Sequence, residues 1–243
     1  MVHIKKLKII MISIILAVIA LIPNNVLADG PSYDITNYDM DAYTQEDGTI
    51  HIDESITYYF SSSANGLTRD LRYFYKTNKD SMEPNSARYQ ATGIENITVA
   101  VTNPANITTN FTKASNAEKG DNGVYTVDAV NADRTDGYDI MVYSPISSNN
   151  FQTVHYSYDI TDAVVQYNDM SEIYYNFIGN GIETDVDEFN LDIYLPKSIN
   201  MDDVKYYPHT YATKLEDIQI MLDSASNCIS FNIKNIPSGK PVD

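Results

Sequence analysis

Residues 49–60 alternate between polar and apolar side chains, and this pattern constrains the fold more than any other feature of the chain. The apolar residues of one parity are Ile50, Ile52, Ile56, Tyr58 and Phe60. Alternate side chains of a β-strand point to opposite faces, so the pattern predicts a strand with one buried face. Glu54 is the one polar residue at that parity. We expect the five apolar side chains to be buried, since a register shift of one residue would expose them all.

The preceding residues predict a hairpin partner for this strand. Tyr38, Met40 and Ala42 repeat the alternation, and residues 46–48 have the Glu-Asp-Gly composition of a tight turn. Residues 33–60 are therefore predicted to form an antiparallel pair.

Later segments rich in Val, Ile, Thr, Tyr and Phe predict further strands. They are residues 97–102, 123–130, 139–144, 152–160, 189–195 and 228–233. The predicted fold class is all-β, an antiparallel β-sandwich (immunoglobulin-like or similar) with one or two short helices, one of them around residues 170–175. Residues 61–89 show no clear period. No repeat or Gly/Pro-rich linker interrupts the chain, so residues 29–243 are predicted to form a single domain.

The first 28 residues have the parts of a secretory signal peptide. Lys5, Lys6 and Lys8 precede an apolar run at residues 9–22, and Ala28 ends a small-residue cleavage site. The run is shorter than the about 20 residues that span a bilayer, which favours cleavage after Ala28 over an uncleaved anchor. The protein is therefore expected to be exported.

Acidic residues greatly outnumber basic ones, 33 to 16, which gives a net charge of −17. Removal of the signal peptide takes away three lysines and no acid, so the mature chain has a net charge of −20. Such a charge repels nucleic acids and anionic membrane surfaces. Cations and basic partners remain as ligands, or the charge serves solubility alone.

Motifs of the common enzyme classes are absent from the sequence, including G-x-S-x-G, the phosphate-binding loop, H-E-x-x-H and G-x-G-x-x-G. His51 and His155 lie in predicted strands, where a hydrogen-bonded structural role is the simpler interpretation; His209 is the third histidine of the mature chain. No catalytic residue and no cofactor are predicted. Cys228 is the one cysteine, and we expect it to be a small buried residue of a strand.

Two groups of oxygen-bearing residues raise the question of calcium. They are Asn131, Asp133, Thr135 and Asp136 before Gly137, and the cluster of Asp185, Asp187 and Glu188. In the first group the glycine comes one place later than in an EF-hand loop, and no glutamate closes the loop. A solvated turn and a charged strand end are the simpler interpretations, so weak calcium binding is possible but not favoured.

Two blocks of sequence resemble a bacterial family described as predicted membrane proteins, domain of unknown function 2207. The first block comprises residues 38–41 and 46–58, followed by Gly66, Arg69 and Asp70. The second comprises residues 158–164 and 167–179, which include Asp169, Glu172, Tyr174 and Tyr175, and ends at Leu195-Pro196. The chain lacks the tryptophan that the family usually has near Tyr175 or Ile182.

The resemblance implies an exported β-rich domain followed by a transmembrane helix, with no established activity. By this comparison, residues 29–243 lack the domain's final strand and the membrane helix that follows it. The candidate motif or interaction residues are Gly66, Arg69, Asp70, Asp169, Glu172, Tyr174 and Tyr175. A buried or rim ion pair is the structural role expected for the charged members, and ligand binding is the alternative.

The expected function is that of a non-enzymatic, extracytoplasmic binding or scaffolding module of a cell-envelope protein. Its partner would be an envelope protein or a glycan. An exposed tyrosine-rich patch would support this function, and its candidate members are Tyr73, Phe74, Tyr75, Tyr206, Tyr207 and Tyr211. The alternative is an envelope hydrolase that acts on carbohydrate or peptide through Asp or Glu residues.

Overall fold

The computed structural model describes residues 32–75, 91–132, 135–179, 181–210 and 214–243. The predicted signal peptide lies outside the described residues. None of the helices in the described part has the length and apolar character that a membrane span requires.

The described residues form fourteen strands and two short 3-10 helices. The strands are β1 Tyr33–Thr44, β2 Ile50–Phe60, β3 Ala64–Tyr75, β4 Gly93–Thr102, β5 Thr108–Asn110, β6 Thr112–Lys113, β7 Val124–Ala132, β8 Thr135–Ile146, β9 Asn150–Thr161, β10 Val164–Gln166, β11 Ser171–Ile173, β12 Val186–Tyr194, β13 Ile218–Asp223 and β14 Cys228–Ile236. The 3-10 helices are Met201–Asp203 and Leu215–Asp217. The predicted all-β fold class is confirmed, and so is each strand predicted from composition.

The strands form one large sheet, one smaller sheet and a separate hairpin. The large sheet has the order β13-β14-β12-β1-β2-β9-β4-β5, the smaller one β3-β8-β7-β6, and β10 pairs with β11. Most neighbours are antiparallel, but β1 runs parallel to β12. The predicted β1–β2 hairpin is confirmed, and its turn closes with a hydrogen bond from the Gln45 amide to the Thr49 carbonyl.

Side chains from both sheets form one apolar core. All five apolar residues of β2 are buried, as the alternation predicts. They belong to the same cluster as Leu67 and Leu71 of β3 and Ile140 and Val142 of β8. The two sheets therefore pack as a sandwich. Glu54 is buried as well, because it lies on the same face of β2 as the five apolar residues.

The structure contains strands that were not predicted from the sequence, namely β3, β5, β6, β10, β11 and β13, and two of these segments bear on the site. The helix predicted around residues 170–175 is wrong, because residues 171–173 form β11 and a hydrogen bond from the Tyr167 amide to the Met170 carbonyl closes the turn before it. The other segment is β3, in residues with no clear period. Arg69 occupies a buried position there, and two bulges interrupt the parity, so the apolar alternation is hidden.

Candidate functional site

A buried ion pair joins the two sheets. Arg69 of β3 donates from Nε to Oε1 of Glu54 at 2.9 Å and from Nη2 to Oε2 at 3.0 Å. Both side chains are almost completely buried, with 6% of Arg69 and none of Glu54 exposed. The paired, bidentate geometry compensates the cost of burying two charges. Glu54, the one interruption of the apolar alternation in β2, is thus the partner of a family-motif arginine.

Tyr38 of β1 completes this network. Its hydroxyl donates to Oε2 of Glu54 at 2.6 Å and accepts from Nη2 of Arg69 at 2.8 Å. Burial raises the pKa of Tyr38 well above its usual value, so the hydroxyl keeps its proton. Burial lowers the pKa of Arg69, but the Glu54 carboxylate and Tyr38 outweigh this effect and raise it well above normal. The network is fully paired inside the core, which indicates a structural role.

Gly66 and Asp70 have close backbone neighbours. A β-carbon at Gly66 would overlap the carbonyl oxygen of Val142, so only glycine allows β3 to approach β8 at this bulge. A β-carbon at Gly181 would overlap the carboxylate of Asp70. These motif residues therefore fix local packing around β3.

The other motif residues lie on or next to the β10–β11 hairpin. Asp169 is exposed in its turn, and Glu172 accepts a hydrogen bond from the Tyr167 hydroxyl at 3.2 Å. Burial together with the Asp243 carboxylate raises the pKa of Tyr174 to about 12. Tyr175 is buried, with its ring 5.4 Å from that of Phe177. The motif residues thus fall into two regions, around β3 and around this hairpin, and most have packing or hydrogen-bonding roles.

The face of the large sheet that points away from the core carries polar and aromatic side chains. We call it the outer face and define it by Asp39, Asp41, Tyr43, His51, Asp53, Ser55, Thr57, Thr153, His155, Ser157, Asp159, Asn190, Asp192 and Tyr194. Every one of these side chains is at least partly exposed. Sequence reasoning identified the parity of β2 but did not identify this surface, because its strands are distant in the chain.

His51 lies between carboxylates on the outer face. Its Nδ1 is 2.6 Å from Oδ1 of Asp159, and its Nε2 is 3.4 Å from Oδ1 of Asp53 and 3.5 Å from Oγ of Ser157. Partial burial raises the pKa of Asp159, but hydrogen bonds from Asn96 and His51 outweigh it and lower the pKa below normal. Asp159 therefore stays ionised and orients the imidazole.

The order Ser157, His51, Asp159 is that of a nucleophile, a base and an orienting carboxylate. Acyl transfer also needs donors for the developing oxyanion, usually free backbone amides. β9 is hydrogen-bonded on both edges, to β2 through Ser157 and Asp53 and to β4 through Ser157 and Thr98. The backbone of β9 is thus paired with a strand on each side, and the trio forms a hydrogen-bond network across β2 and β9.

His155 has both ring nitrogens occupied. Nδ1 is 2.7 Å from Oγ of Ser55, and Nε2 is 2.8 Å from Oγ1 of Thr102. Burial lowers the pKa of His155, so it is neutral at physiological pH. This histidine has the hydrogen-bonded strand role that its sequence context predicts.

A depression lies beside β4, lined both by outer-face side chains and by buried residues such as Glu54, Val99 and Tyr156. Its volume is about 490 Å³, and its polar lining includes Asp53, Ser55, Thr98, Asn110, His155 and Ser157. Phe111 and Tyr125 add aromatic rings to the wall. The volume lies within the range of ligand sites, and the lining mixes hydrogen-bonding groups with rings, as in sites that bind polar ligands.

Three aspartates stand directly opposite one another across three neighbouring strands. Asp53 of β2 faces Asp41 of β1, and Asp41 faces Asp192 of β12. We call these three residues the acidic row. Burial raises the pKa of Asp41, and the charges of Asp192 and Asp53 raise it further. In the part of the chain that the structure describes, no lysine or arginine forms an ion pair with the row.

Two aromatic rings stack next to the acidic row. The rings of Tyr43 and Tyr194 are parallel within 9°, with centroids 4.7 Å apart, and 38% of Tyr43 is exposed. Burial raises the pKa of Tyr43, and Asp41 and Asp53 add to the shift. His51 flanks Tyr43 on the other neighbouring strand, with ring centroids 6.2 Å apart. Carboxylates and partly exposed tyrosine rings therefore occur together at this place.

The remaining sequence candidates are spread over the molecule. Asn131 and Asp136 pair across the β7–β8 hairpin, while Asp133 lies outside the described residues. Asp185 accepts from the Ser238 amide at 2.8 Å, and Glu188 is 3.4 Å from Lys234. The described residues include no group of three or more His, Cys, Asp or Glu side chains placed to hold a metal ion.

The predicted tyrosine patch is described only in part. Tyr207 is 74% exposed, Tyr206 is 38% exposed with its ring against Phe231, and Tyr73 packs against the core. Tyr211 and the side chains of residues 74 and 75 lie outside the described part. His209 is exposed beside Asp243, and Cys228 is buried, as predicted for a strand cysteine.

Comparison with known families gives one extended match. Residues 34–243 match the family model described as predicted membrane protein (DUF2207), N-terminal domain. No curated protein matches the chain.

Several solved structures resemble the fold at low identity. The M1 zinc metallopeptidase of Deinococcus radiodurans is 10% identical, with a TM-score of 0.38 and coverage of 87% of this chain and 42% of that one. A candidate protease from Parabacteroides distasonis is 10% identical, with a TM-score of 0.43 and coverage of 85% and 36%. A candidate nutrient-binding protein from Legionella pneumophila is 10% identical, with a TM-score of 0.41 and coverage of 87% and 66%. The chain spans about two fifths of the metallopeptidase, and scores this low transfer no function.

Proposed function

The chain belongs to the predicted membrane protein (DUF2207) family, whose N-terminal domain it matches over residues 34–243, and from this premise we propose that it is a non-enzymatic binding module of a bacterial cell envelope. The family description and the signal-peptide pattern support an extracytoplasmic location. The proposal assigns recognition to the outer face of the large sheet. The partner is an envelope component that lies across this face.

The observation that carries the proposal is the contrast between the two faces of the same strands. In β2 one parity is completely buried, and the other is exposed or partly exposed along the whole strand. The exposed parity holds His51, Asp53, Ser55 and Thr57, all of which can form hydrogen bonds. Hydrogen bonds hold several of these side chains in place, and pre-ordered side chains lower the entropic cost of binding.

Envelope association tests this function. The purified protein should sediment with an envelope fraction of its source bacterium, and Thr57→Trp should abolish this by blocking the outer face. Thr68→Trp is the matched control, because Thr68 is an exposed strand threonine on the smaller sheet. Equal binding by both variants, or no sedimentation of the unaltered protein, would overturn the proposal.

A hydrolase that acts on carbohydrate or peptide is the second candidate. The observation in its favour is the arrangement of Ser157, His51 and Asp159, with Asp53 in the adjoining depression. The test is labelling with a fluorophosphonate probe, together with hydrolysis of ester, peptide and glycoside substrates. Labelling that disappears in Ser157→Ala, or turnover that disappears in Asp53→Asn, would replace binding by catalysis as the function.

A further inference from the structure

The acidic row carries a charge repulsion that no lysine or arginine of the described residues neutralises. Like charges directly opposite one another on neighbouring strands are destabilising. Asp41 lies between Asp53 and Asp192, and among the described residues no lysine or arginine lies within ion-pair distance of the three. Their polar neighbours include the Tyr43 side chain, which hydrogen-bonds to Asp41, and Nε2 of His51, 3.4 Å from Asp53. A ligand that brings positive charge to the row would remove this repulsion.

The geometry of the row fits several separate cationic groups better than one metal ion. Neighbouring strands lie about 4.8 Å apart, so three residues in line span about 10 Å. Calcium needs six to eight oxygens converging at about 2.3–2.6 Å, which carboxylates arranged in a line do not provide. Lysine and arginine side chains have long stems and can reach each carboxylate independently.

Two independent features next to the row suit the same ligand. The Tyr43–Tyr194 stack offers partly exposed aromatic rings, and ammonium and guanidinium groups bind to aromatic rings. The depression of about 490 Å³ begins at Asp53, one end of the row, and gives room for a partner's backbone or side chain. The row therefore adjoins an aromatic stack along its strands and a depression at its Asp53 end.

The charge of the whole protein favours the same class of partner. The net charge of −17, or −20 without the signal peptide, repels anionic ligands and speeds the approach of cationic ones. Neutral glycans would gain nothing from this charge.

On these grounds we propose that the outer face docks an extended polypeptide segment whose lysine or arginine side chains bind the acidic row beside the Tyr43–Tyr194 stack. This inference rests on the proposed function, for which it names the class of partner. Asp41 and Asp192 supply the charges, and the partly exposed rings of Tyr43 and Tyr194 supply the aromatic surface.

Fluorescence anisotropy with a short labelled peptide of alternating lysine and serine tests the proposal. The double variant Asp41→Asn and Asp192→Asn should bind the peptide at least about tenfold more weakly. The control Glu118→Gln and Asp128→Asn removes the same charge from exposed positions away from the large sheet and should change affinity by less than about twofold. Equal weakening in both would mean non-specific attraction and would overturn the proposal.

Ring substitutions separate the aromatic contribution from charge. Tyr43→Leu should weaken peptide binding at constant net charge, and Tyr43→Phe should keep most of the affinity, because it retains the ring face. Circular dichroism and thermal unfolding of each variant confirm that the fold is intact. Equal affinity of Tyr43→Leu and the unaltered protein would contradict the assigned role of the stack.

Other ligands define the remaining outcomes. If the protein binds calcium at the acidic row and does not bind the peptide, the ligand is a metal ion and the inference is overturned. A neutral oligosaccharide that binds the outer face while the peptide does not would also overturn the inference, but it would leave the proposed binding function intact. If Thr57→Trp leaves envelope association unchanged, the outer-face function itself fails, whatever the peptide result.

Discussion

At the scale of single residues, Arg69 and Glu54 connect the two sheets through one bidentate contact. Both charges are buried, so each depends on the other for compensation. The Tyr38 hydroxyl forms one more hydrogen bond with each of them, as donor to Glu54 and as acceptor from Arg69. The pair is therefore a point where the loss of either partner leaves an unpaired charge in the core.

Replacement of Arg69 by methionine should strongly destabilise the protein. Arg69→Met leaves the Glu54 carboxylate buried without its partner, which costs about 3–5 kcal/mol. Urea denaturation measures the change in the free energy of unfolding. The double variant Arg69→Met and Glu54→Leu should recover most of the loss, because it removes both charges. A double variant as unstable as Arg69→Met would show that the charge pair is not the cause.

A methyl group at Gly66 should also destabilise the fold. In Gly66→Ala the β-carbon would overlap the Val142 carbonyl oxygen, so β3 and β8 must separate, at a cost of about 1–3 kcal/mol. Gly179→Ala is the matched control, because nothing lies within 4 Å of its β-carbon position. Thermal unfolding of both variants measures the difference. Equal melting temperatures would contradict the close approach of the two strands at Gly66.

At the scale of strands, the three neighbours β2, β1 and β12 place their apolar residues on one face and three opposed aspartates on the other. Burial and the two flanking charges raise the pKa of Asp41 above its usual value of 3.8. The folded state therefore holds this proton more tightly than the unfolded state. Stability is lost as the pH rises and Asp41 ionises.

Asp41→Asn should consequently stabilise the protein at neutral pH. The expected gain is a few tenths to about 1 kcal/mol, the usual cost of like charges opposite one another in a sheet. It should fade as the pH falls through the folded pKa of Asp41 and vanish below 3.8, where the aspartate is neutral in both states. Urea denaturation at neutral and acidic pH measures this, with Glu118→Gln as an exposed control. A stabilisation by Asp41→Asn that increases at acidic pH would contradict the raised pKa of Asp41.

At the scale of the whole molecule, net negative charge opposes the compact state. Residues 29–243 have a net charge of −20, and folding brings these charges closer together. Salt shortens the range of exposed charge interactions, from about 10 Å at 0.1 M to about 3 Å at 1 M, but hardly affects buried pairs. The repulsion should therefore respond to salt, and the Arg69–Glu54 pair should not.

Added NaCl should raise the melting temperature by several degrees between low salt and about 0.5 M. Differential scanning calorimetry measures this shift, and KCl at equal ionic strength controls for ion-specific effects. The destabilisation caused by Arg69→Met should be the same at both salt concentrations. A melting temperature that falls with salt would mean that attractive surface pairs outweigh the repulsion.

Sequence-based prediction succeeded for strands with regular alternation and failed where bulges or tight turns interrupt it. Alternation identified the faces of β2 because the side chains of any strand have a period of two, whatever its neighbours. β3 was missed since its buried position Arg69 is polar and bulges shift its parity. The helix expected around residues 170–175 was wrong because a tight turn pairs β10 with β11.

The sequence by itself determined the all-β class, the β1–β2 hairpin and the buried parity of β2, since these depend on local periodicity and turn chemistry. Only the tertiary structure decided that β12 lies beside β1 and that Arg69 meets Glu54. The alternation of side chains along a strand predicts which face each side chain occupies, but it does not predict which strand will be the neighbour. The acidic row and the Tyr43–Tyr194 stack arise from that choice of neighbours, because packing both sheets around one core brings distant strands together.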